Sequence, residues 1–368
     1  MKLVRLGNLA SIQTGKIDVN QAVVGGKYPF FTCSRDVYEI NDAPFEGKAV
    51  LVAGNGDLNV KYYEGKFNAY QRTYFLFVNN ENEVLPKYLY WFLESYVGQL
   101  RSESIGSTIK YIKMGNLTEA EIPLPSLEKQ REIVEKLDTM FAEMDLLLKE
   151  TEFKRLLLRK IYEQEIESVF YRNDNDWPST TIEESCDYKN GKAHEQLVDP
   201  AGNYRLVTSK FVSSNGKLAR RVTTALTPLV SGDVAFVLSD LPKGKALAKA
   251  YLVETEEDLT LNQRVLRVKS NKFIPKFLYL QINRHPYLLS FDNGESQTHL
   301  KLAQALSCPL LIPDLEIQKQ TSERLIGLRS EVERYEAILD MKLLTLSKLR
   351  QSFLFQAFNH AKTAGLVA

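Results

Sequence analysis

The sequence predicts an α+β protein: two pseudo-symmetric α/β globular domains separated by two long antiparallel coiled-coil helices. Three observations predict it. The chain repeats itself at domain scale, each repeat closes on a long heptad-patterned segment, and the remaining parts hold short β-rich runs between Gly and Asn turn signals.

The repeat is visible in order. Val84-Leu85-Pro86-Lys87-Tyr88-Leu89-Tyr90 returns as Phe273-Ile274-Pro275-Lys276-Phe277-Leu278-Tyr279. Tyr70-Gln71-Arg72 precedes the first copy and Asn262-Gln263-Arg264 the second. Gly106-Ser107-Thr108-Ile109-Lys110 and Ser296-Gln297-Thr298-His299-Leu300-Lys301 follow, and Thr14-Gly15-Lys16 near the first start matches Asn190-Gly191-Lys192 near the second. Same-order matches at nearly constant offset mark a duplication. The implied boundaries are a first globular domain over 1–122, a helical segment over 123–171, a second globular domain over 172–308, a second helical segment over 309–360, and a tail over 361–368.

Within the globular parts, Ala49–Ala53, Thr73–Val78 and Val234–Leu238 read as strands. A helix is expected near Pro86–Gly98, with its counterpart near Pro275–Leu289. Proline steps, Pro123-Leu124-Pro125 and Pro309 to Pro313, then open the long segments. In the first, Val134, Leu137, Phe141, Met144, Leu148, Leu158, Tyr162 and Val169 fall on alternating steps of three and four. In the second, Leu325, Leu328, Val332, Tyr335, Leu339, Leu346, Leu349 and Phe353 do so. Neither contains an internal proline, and Glu128, Asp314 and Glu316 near the starts suit the helix dipole. Such seams fit two helices packed on each other, or each packed on its own globular domain.

Composition narrows the function class. No apolar run approaches the roughly 18 residues of a membrane span. Cys33, Cys186 and Cys308 form no CxxC pair, so a reducing, cytoplasmic setting is expected. The formal net charge is +1, with the positive excess (+4) in residues 177–308. Tight DNA binding would therefore need local basic faces or a partner protein.

Pro123-Leu124-Pro125-Ser126-Leu127-Glu128-Lys129-Gln130-Arg131-Glu132-Ile133-Val134 resembles the conserved region of type I restriction–modification specificity subunits, a proline step into a Leu-Glu-x-Gln helix. Gly106-Ser107-Thr108-Ile109 resembles the element before that step, and the order of segments matches over about residues 1–360. The second copy keeps Leu315, Glu316 and Gln318 but has Thr321-Ser322 where the first has Ile133-Val134. The resemblance implies two target-recognition domains reading the two halves of an asymmetric double-stranded DNA site. It implies helices that set the gap and dock two methyltransferase subunits, with restriction subunits joining the full complex. This chain would bind no cofactor; S-adenosylmethionine, ATP and Mg would belong to the partners.

A search for catalysis agrees. No GxxxxGK[ST] loop, Asn-Pro-Pro-Tyr or Asp-Pro-Pro-Tyr run, or HExxH occurs, and Asp145, Glu152 and Lys154 mimic a nuclease pattern only on the heptad helix. Candidate DNA contacts are Asn55, Asn59, Lys61, Arg72 and Lys110 in the first domain. In the second they are Lys192, Lys210, Asn215, Lys217, Arg220, Arg221, Lys243 and Lys245. Arg and Lys reach guanine edges or phosphates, and Asn pairs with adenine. The repeated Gln71 and Gln263 are expected to hydrogen-bond in the interior, and Thr108 and Thr298 to position the segment entering the helix. The competing reading is a coiled-coil structural adaptor that binds proteins rather than DNA.

Overall fold

The computed structural model describes residues 2–172, 176–240, 246–255, 257–292 and 298–363. It divides into two compact units, Met1–Lys154 with Ile338–Ala368, and Arg155–Ala337.

The first unit runs β1 (Lys2–Arg5), α1 (Leu6–Leu9), β2 (Ala10–Thr14), β3 (Tyr28–Phe31), β4 (Val37–Ile40), β5 (Phe45–Ala53), β6 (Val60–Ala69), β7 (Thr73–Val78), α2 (Pro86–Glu103), α3 (Met114–Thr118) and β8 (Glu121–Leu124). Helix α4 (Leu127–Phe170) begins here and ends in the second unit. Six strands form one sheet, ordered β2-β7-β5-β6-β3-β4. All pairs are antiparallel except β3 with β6. One sheet face, carrying Val50, Val52 and Leu76, packs on Tyr88, Leu89 and Phe92 of α2. The other face is aromatic: Phe31, Phe67 and Phe75, with Phe45, Tyr63 and Phe77 beside them.

The second unit repeats the plan. It runs β9 (Ser179–Thr181), α5 (Ile182–Ser185), β10 (Asp187–Asn190), β11 (Tyr204–Val207), α6 (Ser209–Ser213), β12 (Arg220–Val222), β13 (Val234–Val237), β14 (Ser239–Asp240), β15 (Ala250–Leu252), β16 (Leu259–Leu261), β17 (Val265–Lys269), α7 (Pro275–Ile282), α8 (Pro286–Leu289), β18 (Thr298–His299), α9 (Leu302–Leu306) and β19 (Pro309–Leu311). Helix α10 (Leu315–Thr363) begins here and ends in the first unit. The sheets read β10-β17-β13-β15 and β12-β11-β16, with β11 and β16 parallel. This is the first unit's strand order with one change: long β6 is replaced by two short strands, β15 and β16. The helix expected near Pro275–Leu289 is broken, since Pro286 offers no N–H and pushes His285 into extended backbone, with Arg284 at φ 62°.

The Leu-Glu-x-Gln pattern has a physical reason. Gln130 is fully buried; its Oε1 accepts from Leu85 N at 2.9 Å, and its Nε2 donates to Glu83 O at 2.9 Å and Pro125 O at 3.0 Å. Gln318 repeats all three bonds, with Ile274 N at 2.9 Å, Lys272 O at 3.1 Å and Pro313 O at 2.8 Å. Each glutamine ties the start of a long helix to the segment that opens the domain's own helix.

Along α4, Val134, Leu137, Phe141, Met144, Thr151 and Val169, all on the heptad, are buried. In the first unit Val134, Leu137 and Phe141 share a core with Trp91, Phe92, Leu354 and Phe358, so the seam serves both the domain's helix and the other long helix. There the Arg350 guanidinium donates to Asp145 and lies 4.5 Å from the Phe141 ring. In the second unit Arg159 pairs with Glu336 and Arg324 with Glu165, so a rising number on α4 meets a falling one on α10 and the pair is antiparallel. The expected α10 register needs correcting: Tyr335 and Leu349 are exposed, and Glu336 and Arg350 sit nearer the seam. A straight helix drifts against a strict seven-residue repeat, and ion pairs take up the shifted positions.

Candidate nucleic-acid interface

Both units build the same strand-end turn. In the first, Thr73 N donates to Tyr70 O at 2.8 Å, Tyr70 N to Phe31 O at 2.9 Å, and Gly54 N to Arg72 O at 2.9 Å. In the second, Val265 N donates to Asn262 O at 3.0 Å, Asn262 N to Val207 O at 3.1 Å, and Leu238 N to Arg264 O at 2.9 Å. The repeated glycine of the opening strand explains itself here. A Cβ on Gly15 would lie 1.8 Å from Ala69 O, and one on Gly191 2.0 Å from Asn262 O. Gln71 and Gln263 are the first central residues of these turns and both are exposed, which corrects the expectation of interior hydrogen bonding. A tight turn between paired strands points its central residues away from the sheet. Each glutamine Nε2 instead donates at 3.2 Å to a carboxylate, Asp18 Oδ2 or Glu195 Oε1.

Around the first turn, Gly56 N donates to Lys110 O and Ile112 N to Gly54 O, both at 2.9 Å, drawing loops 54–57 and 105–112 to the same edge. Arg72 and Lys110 are exposed and Asn55 half-buried. A cleft of about 360 Å³ is lined by Gly54, Gln71, Arg72, Tyr74, Tyr111 and Lys113. Asn59 and Lys61 lie elsewhere. Asn59 is buried, with Nδ2 donating to Cys33 O at 2.9 Å and Asp57 O at 2.8 Å. Lys61 Nζ donates at 2.6 Å to Ser34 O and to Asn59 Oδ1, and burial pushes its ammonium below the usual lysine range. Both side chains satisfy buried polar groups of the fold and are not positioned for bases. Asp57 holds Arg35 and Arg101 in ion pairs at 2.8 and 2.7 Å.

The second turn borders a larger cleft, about 530 Å³, lined by Lys210, Lys217, Arg220 and Arg264 with Glu195 and Gln263. Its wall is rigid. Thr208 caps α6 by accepting from Phe211 N at 3.2 Å, and Asn215 and Gly216 end it in the left-handed region. Arg205 braces that turn: it pairs with Glu257 at 2.6 Å, donates to Gly216 O, and lies 5.1 Å from the Phe211 ring. Arg220 and Arg221 do not act as one basic pair. Neighbours on a strand face opposite ways; Arg220 lines the cleft, while Arg221 donates to Gly202 O at 3.1 Å. Lys192 and Asn215 are exposed but are not among the cleft-lining residues. Lys243 and Lys245 lie outside the described residues.

His194, in the same region, is buried and structural. Its Nε2 accepts from Leu226 N at 3.3 Å, which leaves Nδ1 to donate to Lys192 O at 2.7 Å. Thr108 is exposed in a loop, whereas Thr298 is buried on β18 and donates to Asp292 at 2.7 Å; neither caps the helix that follows. Sequence reasoning passed over Arg264. Its signal was the Gln263-Arg264 dipeptide itself, which repeats Gln71-Arg72.

No cluster of metal-ligating side chains occurs among the described residues, and none of their helices is long and apolar enough to cross a membrane. The nuclease-like trio resolves into helix-surface chemistry, with Asp145 paired to Arg350 and Lys154 to Glu150.

Residues 1–152 match the family described as the type I restriction modification DNA specificity domain. The similarity to that family is carried by this first portion of the chain. The EcoDI specificity subunit of Escherichia coli is 45% identical over 144 residues, which are 39% of this chain and 32% of that protein. The alignment thus spans about a third of that relative's length. The MjaVIII specificity subunit of Methanocaldococcus jannaschii is 23% identical over 309 residues, 74% of this chain and 72% of its own. A chain from a structure of the type I restriction–modification system, studied for its complex assembly and conformational transition, superposes with a TM-score of 0.74 at 15% identity over 97% of both chains. The likeness in fold therefore extends beyond the matched residues to nearly the whole chain. The resemblance carried by the Leu-Glu-x-Gln segment is borne out, as is the expected architecture of two repeated α/β parts with two long helices.

Proposed function

We propose that this chain reads double-stranded DNA as the specificity subunit of a type I restriction–modification complex. Each unit would take one half of an asymmetric bipartite site. One observation carries the reading: the same strand-end edge in both units presents basic side chains around a repeated Gln-Arg turn. By contrast, Arg35, Arg101, Arg205 and Arg267 are neutralised by carboxylates. Free cations gathered on a concave edge suit phosphates and base edges.

The long helices contribute to both units and are the element that sets the gap. They also carry large exposed apolar side chains. Leu146, Phe153 and Leu156 on α4 and Met341, Leu344 and Phe355 on α10 are each more than half exposed. Faces of this kind fit docked protein subunits, here two methyltransferase subunits, with restriction subunits in the full complex. S-adenosylmethionine, ATP and Mg belong to those partners. The adaptor reading rests on the same apolar faces and gives no role to the basic clefts.

The test is co-expression with the methyltransferase subunit, followed by mapping of methylated adenines. A two-part motif with a fixed gap, lost on deleting this chain, is expected. A stable, active complex that produces no such motif favours the adaptor.

A further inference from the structure

The Gln-Arg turn is the one part of the candidate interface that the two units share. Its frame is the same in both: the glycine approach of the opening strand, three backbone bonds across the turn, and a glutamine amide donating to a carboxylate. Those carboxylates sit one position apart: Asp18 caps a 3-10 turn after the opening strand, and Glu195 is the first residue of the counterpart turn, after His194. The rest of the two edges differs. The first cleft has Tyr74, Tyr111 and Lys113 where the second has Lys210, Lys217 and Arg220. Among the described residues, no hydrogen bond or ion pair holds the guanidinium of Arg72 or Arg264.

We propose that Arg72 and Arg264 are equivalent, sequence-independent phosphate clamps, one per unit, that set each unit's register on the duplex while non-equivalent neighbours read bases. This deepens the proposed function and rests on it. The chemistry follows from the repetition. A side chain that reads a base edge must differ between domains that read different half-sites; a side chain that grips the backbone need not. The turn supplies the reach, with Arg72 exposed and Arg264 half-buried on the wall of its cleft, and the tied glutamine keeps the arginine's backbone fixed. An arginine on a fixed backbone loses less freedom on gripping a phosphate than one on a loose loop.

The experiment uses the full chain assembled with its methyltransferase subunit and a randomised-sequence duplex pool. It measures affinity against salt and the sequences enriched by selection. Arg72→Ala and Arg264→Ala should each reduce the slope of log affinity on log salt by about 0.9, the value of one phosphate contact. The enriched sequences should stay the same, and Arg72→Lys and Arg264→Lys should restore the slope. Unchanged unfolding temperatures would separate this from misfolding. An unchanged slope, or an altered set of enriched sequences, overturns the clamp while leaving DNA reading intact. An unaltered complex that retains no duplex at low salt overturns the DNA reading itself, and the clamp with it.

Discussion

The two units share a strand order and differ in what fills it. In the first, continuous β6 pairs with β5 along most of its length and with β3 at its end, and the layer beneath is a cluster of phenylalanines. In the second, the same path is cut into β15 and β16, and the layer is mostly aliphatic: Val207, Val237, Leu259, Leu261 and Val265, with Phe211. The cut has a consequence. The segment between β15 and β16 supplies Glu257, which holds Arg205 and through it the wall of the larger cleft. What is kept between the units ties helix to sheet and sheet to turn; what has diverged is the layer beneath the sheet and the exposed edge. A duplicated scaffold can change its target in one half without disturbing the other.

The sharpest test of the shared scaffold removes the helix-entry glutamines. Gln130→Leu and Gln318→Leu each strand one backbone N–H and two carbonyls in the interior. We expect each to destabilise its unit by roughly 3 kcal/mol in denaturant unfolding. Markedly unequal losses would show that the two staples are not equivalent.

Acid sensitivity should break the symmetry. Burial pushes His285 down to about 4, opposed only by the Pro309 carbonyl. Its folded value lies below its unfolded value near 6.5, so the unfolded chain binds more protons between those limits. The stability is therefore fully present above about pH 6.5 and is lost as pH falls towards 4, to a limit of about 3 kcal/mol. Residues 1–154 contain no histidine, and the first unit's one histidine is His360 near the end of α10. Unfolding of the second unit followed from pH 7 to 4 should show this slope, and His285→Gln should flatten it. An equal slope in the variant would place the acid-sensitive group elsewhere.

The smallest effect sharpens the reading of the second edge. Arg220→Ala should weaken DNA binding by about 1 kcal/mol, while Arg221→Ala should leave binding unchanged, as measured with the assembled complex. Equal losses from both would mean that the DNA meets both faces of β12.

Much of the fold was legible in the sequence because duplication writes its evidence twice. Pro86 with Pro275, Gln130 with Gln318 and the heptad apolar residues of α4 each announce an element through constraints local to the chain. The α10 seam was less legible, because its register depends on where ion pairs with α4 replace apolar contacts. Of the DNA candidates, Arg72, Lys110, Lys210, Lys217 and Arg220 lie at the strand-end edges, while Asn59 is buried and Lys61 is half-buried and hydrogen-bonded within the fold.

By itself, the sequence determined the family resemblance, the repeat and the periodicities, since these rest on residue order and on the fixed geometry of helix and strand. Only the tertiary structure decided which polar side chains are free. A lysine donating to a buried carbonyl and a lysine open to solvent look the same in a sequence. Whether Lys61 or Lys110 could meet a phosphate depends on what lies across the fold, at Ser34 for the one and at open solvent for the other.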